Sequence, residues 1–236
     1  MTRILSIAAG ILFSSHAIGA LAISQTDGVS PAVYSNGGGT GFGGTLGGGT
    51  FTFDVNAGNL DISFTAGGAL GTNIVAVYLD TRPGGFDDAS MNDTADSGRN
   101  VLTNLGASGN ETFPTGMTGG LPDFGIAIGG FGTVFFELTG DSLSFLAFDP
   151  TPGLISISLS TIGSPATIDW FAALASDSLF LSNESFPADA ALNALANPGF
   201  DTTANYQDFN RFVAIPEPAV AIFGSLGLLC LLRRRK

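Results

Sequence analysis

The chain has 236 residues, of which 44% are hydrophobic and 12% charged, with a formal net charge of −12. Such an acidic chain is a poor partner for nucleic acid, whose binding rests on Lys and Arg neutralising phosphates. A single cysteine excludes an intrachain disulfide framework, and twenty Phe with sparse charge exclude the composition of a disordered chain.

Residues 1–22 read as a secretory signal peptide. Arg3 supplies the positive n-region and residues 4–13 the apolar h-region, while Ala20 and Ala22 flank Leu21 as a small-x-small cleavage site. Cleavage after Ala22 removes His16, the only histidine. Between residues 23 and 215 there is no Cys, His or Lys, and the cations are Arg82, Arg99 and Arg211. Nineteen of the twenty acidic residues lie in that span, which therefore carries −16. Nucleophilic catalysis through a Ser–His or Cys–His pair is excluded there, as is histidine-ligated zinc. The acidic surface favours solubility and can attract divalent cations.

Residues 23–49 form a Gly-rich N-terminal segment, densest over residues 36–49. A phosphate-cradling loop needs a helix behind it and usually a Lys; neither follows, so the segment reads as a flexible linker or wide turn. From Thr50 the apolar period is two. Phe51, Phe53 and Val55 alternate with Thr52 and Asp54, and similar sets recur at Ile62, at Val75, at Val134, at Leu143, at Ile155, at Ile168 and at Phe209. Short strands separated by Gly, Asn, Asp and Pro predict an all-β domain over residues 50–212. An antiparallel β-sandwich is the expected architecture, with a jelly roll among the compatible topologies. Helical spacing is confined to residues 188–196, about two turns between Pro187 and Pro198. Trp170 is expected in the core, with Asp169 on the opposite face of the same strand.

The densest polar cluster runs over residues 80–99. Asp80 ends a buried strand, Pro83, Gly84 and Gly85 turn the chain, and Asp87, Asp88, Asn92, Asp93 and Asp96 follow. Ca²⁺ takes six to eight oxygen ligands, so Asp80, Asp87, Asp88, Asp93 and Asp96 are candidate calcium ligands, although the spacing is not that of an EF-hand. The alternative is a solvated acidic loop whose charge Arg82 and Arg99 offset. Glycoside hydrolysis needs two convergent carboxyl groups. Glu111, Glu137, Glu184 and sixteen Asp precede the tail, and no spacing pairs any two, so no enzyme is expected.

Residues 213–236 close the chain in three parts. Pro216, Glu217 and Pro218 come first, then an uncharged apolar run over residues 219–232, then the cationic cluster Arg233, Arg234, Arg235 and Lys236. The cluster resists crossing a bilayer and orients the run with its C-terminal end in the cytoplasm. Fourteen helical residues span about 21 Å against a hydrocarbon core of about 30 Å, a marginal anchor suited to later removal. Cys230, inside the run, reads as a small hydrophobe.

These three parts in this order resemble the PEP-CTERM sorting signal of exported bacterial proteins. The resemblance covers about a tenth of the chain. It implies recognition by exosortase, an integral-membrane cysteine transpeptidase, with cutting at or near Pro216, Glu217 and Pro218. It further implies a bacterium that makes exopolysaccharide. The expected partners are thus the Sec export machinery, exosortase, the inner membrane as a transient anchor, and exopolysaccharide. The expected location is the inner membrane before processing, then the cell surface or extracellular matrix, with a structural or adhesive role. Residues 77–86 and 180–186 look loosely similar to β-sandwich modules of secreted bacterial proteins, some grouped with carbohydrate-binding or glucodextranase C-terminal-like domains. A carbohydrate-binding module, Ca²⁺-dependent through the Asp87 to Asp96 loop, is therefore the alternative, and a carboxylate-based glycan hydrolase the second.

Overall fold

The computed structural model describes residues 23–27, 30–86, 92–105, 114, 116–139, 142–200 and 205–214. In chain order these form β1 (Ile23–Asp27), β2 (Ala32–Tyr34), β3 (Thr50–Asn56), β4 (Asn59–Thr65) and β5 (Asn73–Asp80). Helix α1 (Ser97–Thr103) follows, then β6 (Phe124–Gly129), β7 (Gly132–Thr139), β8 (Ser142–Asp149) and β9 (Leu154–Ser158). β10 (Thr167–Ser176), β11 (Leu181–Phe186), α2 (Ala190–Asn193) and β12 (Phe209–Val213) complete the set. The signal helix expected over residues 1–22 and the sorting tail beyond Val213 and Ala214 lie outside the described residues. Among the described residues, no helix is long and apolar enough to cross a membrane.

Alternating residues build the smaller sheet, in the order β2-β3-β4-β9. Phe51, Phe53, Leu60, Ile62, Phe64, Ile155 and Ile157 point inward, while Thr and Ser between them face solvent. Its central hairpin turns through Ala57 (φ 50°) and Gly58 (φ 84°), the two positive-φ positions that match the twist of paired strands.

The larger sheet runs β1-β12-β10-β5-β6-β7-β8, with β11 beside the C-terminal half of β10 and β12 beside its N-terminal half. β1 pairs with β12 in parallel, and the other pairings in this sheet are antiparallel. β5 to β8 form a meander within one sheet, whereas a jelly roll would send successive strands to opposite sheets. The two sheets stack as a sandwich. Between them, the buried Trp170 stacks on Phe53 (4.7 Å between centroids) and Phe186 (5.4 Å) and meets Tyr34 and Phe51 edge-on at 5.0 Å. Aromatic pairs at these distances add to the burial of large apolar surfaces.

A second apolar layer lies on the far face of the larger sheet. Tyr78, Phe136, Phe171 and Phe209 are covered there by Val101 and Leu102 of α1, by Phe86 and by Leu192 of α2. β5 and β6 are thereby buried on both faces, and their sequences run almost continuously apolar.

The Gly-rich segment is packed into this body. Glu184 of β11, fully buried, accepts backbone hydrogen bonds from Phe42 (2.7 Å), Gly44 (3.0 Å), Leu46 (2.7 Å) and Gly47 (3.3 Å). Close approach explains the glycine: a Cβ on Gly47 would collide with the backbone carbonyl of Gly39. The segment is a wide turn wrapped on a carboxylate, and a linker only in composition.

Candidate functional site

Antiparallel register gathers acidic side chains at one end of the larger sheet. Asp169 of β10 stands directly opposite Asp80 of β5. Asp123 immediately precedes β6, whose first residue pairs with Leu79, so Asp123 stands level with Asp80 on the other side. All three are buried. Glu137 of β7, opposite Phe124, lies at the same end of the sheet.

Each aspartate holds a loop through its backbone. Asp169 Oδ2 accepts from the Thr118 amide (2.6 Å) and hydroxyl (2.9 Å). Asp80 Oδ2 accepts from the amides of Gly119 (2.8 Å) and Gly120 (3.1 Å). Asp123 Oδ2 accepts from the amides of Thr81 (2.8 Å) and Arg82 (2.9 Å). The strand ends thus fix residues 118–120 and 81–82 against each other.

Two arginines flank the row. Arg211 bonds both oxygens of Asp169, and this holds its guanidinium above its ordinary pKa. Arg82 bonds Glu137 (2.5 Å), stands 3.4 Å from Asp123 and lies over the Phe124 ring, and is likewise raised, first by the Glu137 bond. Asp80 has neither. Burial first, then the charges of Asp123 and Asp169, push its carboxyl up to about 6, against the Gly119 and Gly120 bonds. A carboxyl raised in this way beside other carboxyls suits acid–base chemistry. Here the acceptors face backbone amides inside the protein, so the geometry serves to position loops.

The described candidate calcium ligands lie in two places. Asp80 lies in this row. Asp93 and Asp96 lie at the start of α1, where Asp96 caps the helix through the Arg99 amide (2.9 Å). Both pair with the Arg99 side chain at 3.0 Å. Asp87 and Asp88 lie outside the described residues. Among the described residues no three His, Cys, Asp or Glu side chains are disposed to hold a metal ion. Of the two arginines expected to offset the acidic loop, Arg99 does so, while Arg82 turns to Asp123 and Glu137.

Sequence reasoning gave no role to Asp123, Glu137, Glu184 or Arg211. One signal was available: three cations serve nineteen acids between residues 23 and 215, so each arginine is expected to gather carboxylates around it, as Arg211, Arg82 and Arg99 do.

Several grooves open among the described residues, and two of them bear on binding. One, about 460 Å³, lies between α1 and the β7–β8 edge and is lined by Asp96, Ser97, Arg99, Phe131, Phe136 and Phe145. A bulge in β8, where Phe145 opposes Phe136 and Ala147 opposes Phe135, turns Phe145 and Phe148 to the same face. Phe131, Phe145 and Phe148 are exposed, at 42%, 58% and 52%. The other groove, about 370 Å³, lies on the smaller sheet, where Asp54 and Asp61 stand directly opposite one another. Compared with known proteins, the chain matches no family model, no curated protein and no solved structure.

Proposed function

We propose that the protein is an exported β-sandwich delivered to the cell surface or extracellular matrix through a PEP-CTERM-type tail that exosortase processes. The observation that carries this reading is the order Pro216, Glu217 and Pro218, apolar run, basic end. A signal helix over residues 1–22 and an apolar helix over residues 219–232 belong to it. The fold agrees in one respect: β12 ends at Val213, three residues before Pro216, and β1 begins at Ile23 beside it. Cutting at the two proposed points removes none of the described strands. The role outside is structural or adhesive. Replacing Pro216, Glu217 and Pro218 by Ala is expected to accumulate a tail-bearing form in the inner membrane. An unchanged distribution between membrane and surface refutes the processing step.

A second reading, glycan binding, is favoured by the groove beside α1. Exposed Phe131 and Phe145 offer flat apolar faces to the C–H side of a sugar ring, and Asp96 and Ser97 stand at the rim to take its hydroxyls. Retention on a polysaccharide column tests it.

A further inference from the structure

The carboxylate row contains more acid than base. Asp169, Asp80, Asp123 and Glu137 face two guanidinium groups, and Arg211 is engaged by Asp169 while Arg82 is engaged by Asp123 and Glu137. Asp80, in the middle, makes no ion pair among the described residues, and feels Arg211 only through the longer-range attraction between their charges. The neighbouring helix α1 brings Arg99, which is held by Asp93, Asp96 and the Leu143 carbonyl and lies over Phe136. Residues 116–122 bring no charged side chain at all.

One atom is left over. Asp80 Oδ1 is buried and has no hydrogen-bond partner among the described residues, while Oδ2 of the same carboxyl holds two amides. A buried acceptor without a partner costs about 1 to 3 kcal/mol, and more when charged. A Cβ placed on Gly119 would collide with both Asp80 Oδ1 and the Arg82 carbonyl oxygen, so the two oxygens flank Gly119 at close range. Two oxygens so placed repel when the carboxyl is ionised. When it carries a proton on Oδ1, the same pair becomes a donor and an acceptor.

We propose that the Asp169–Asp80–Asp123 row is a proton-operated clamp, in which neutral Asp80 latches the strap of residues 116–122 to the loop of residues 81–86 and ionised Asp80 loosens it. In the neutral form Oδ2 accepts from Gly119 and Gly120 while Oδ1–H donates to the Arg82 carbonyl, so one side chain ties both segments. On ionisation the proton leaves to solvent. The charge then sits buried between two other carboxyl groups, and the strap lifts to admit water. The raised proton affinity of Asp80 agrees with this geometry and places the changeover near pH 6. On the export proposed above, the protein meets external pH directly, which is where such a clamp acts.

Amide hydrogen exchange on the purified full chain, corrected for the intrinsic pH dependence, reads the clamp. Protection at Gly119 and Gly120 is expected to fall about tenfold or more between pH 5 and pH 8 relative to Phe53 in β3. Asp80→Asn, which keeps the shape and donor of the neutral acid, is expected to hold the protection at both pH values. Titration of the Asp80 carboxyl carbon in the unsubstituted chain needs no variant and is expected to give a midpoint near pH 6. A midpoint near pH 4, or strap protection that does not change with pH, overturns the proposal. So does restoration of protection at pH 8 by Ca²⁺, which would assign Oδ1 to a metal.

Discussion

Arg211 grips Asp169 across the β12–β10 pairing through two parallel hydrogen bonds, 2.6 Å from Nε and 2.7 Å from a terminal nitrogen. Asp169 is fully buried, whereas the Arg211 side chain is 23% exposed. Removing the arginine leaves an uncompensated buried carboxyl, so Arg211→Ala is expected to cost about 2 to 4 kcal/mol, measured by denaturant unfolding. Arg211→Lys is expected to recover little, because a single ammonium cannot span both oxygens. Equal stability for the Lys variant and the native chain contradicts the bidentate role.

Glu184 gives the second prediction. Its two oxygens accept four amides of the Gly-rich turn. Glu184→Gln replaces one acceptor by an NH₂ group that faces amide donors, so about 2 to 4 kcal/mol of stability is expected to be lost. Exchange protection should drop first at Phe42, Gly44, Leu46 and Gly47. Unaltered protection there shows that the turn holds without the carboxylate.

Stability against pH gives the third. The Asp80 carboxyl is raised from 3.8 to about 6 on folding, so the folded chain binds this proton more tightly than the unfolded chain. Its contribution is complete below about pH 4 and is lost as pH rises through about 6, amounting to at most about 3 kcal/mol. Asp80→Asn is expected to remove this slope and to be more stable than the native chain at pH 8. A slope of unchanged size in the variant assigns it to other groups.

The groove beside α1 gives the fourth. Phe145 and Phe148 are about half exposed, so Phe145→Ala and Phe148→Ala are expected to change stability by no more than about 0.5 kcal/mol each. If the groove binds glycan, Phe145→Ala abolishes retention on a polysaccharide column while the fold persists. Retention that survives Phe145→Ala refutes binding at this groove.

Strand by strand, legibility followed exposure. β3, β4 and β9 have one wet face, and their alternation could be read directly. β6 is buried throughout and carries no period, while β11 buries Ser182, Glu184 and Ser185, which leave it no apolar alternation. α1 was hidden in the acidic cluster, because Asp93 and Asp96 look like ligands until Arg99 closes on them. The Asp80 row was illegible for a different reason. Asp80, Asp123 and Asp169 are separated by more than forty residues, and only antiparallel register sets them side by side.

The address itself is tested most directly by the intact mass of the protein recovered from the surface or medium of its own cells. The account predicts an N-terminus at Ile23 and a C-terminus near Pro216 to Pro218, without Arg233 to Lys236. A full-length mass in the cytosol, with Met1 and Lys236 both present, contradicts it.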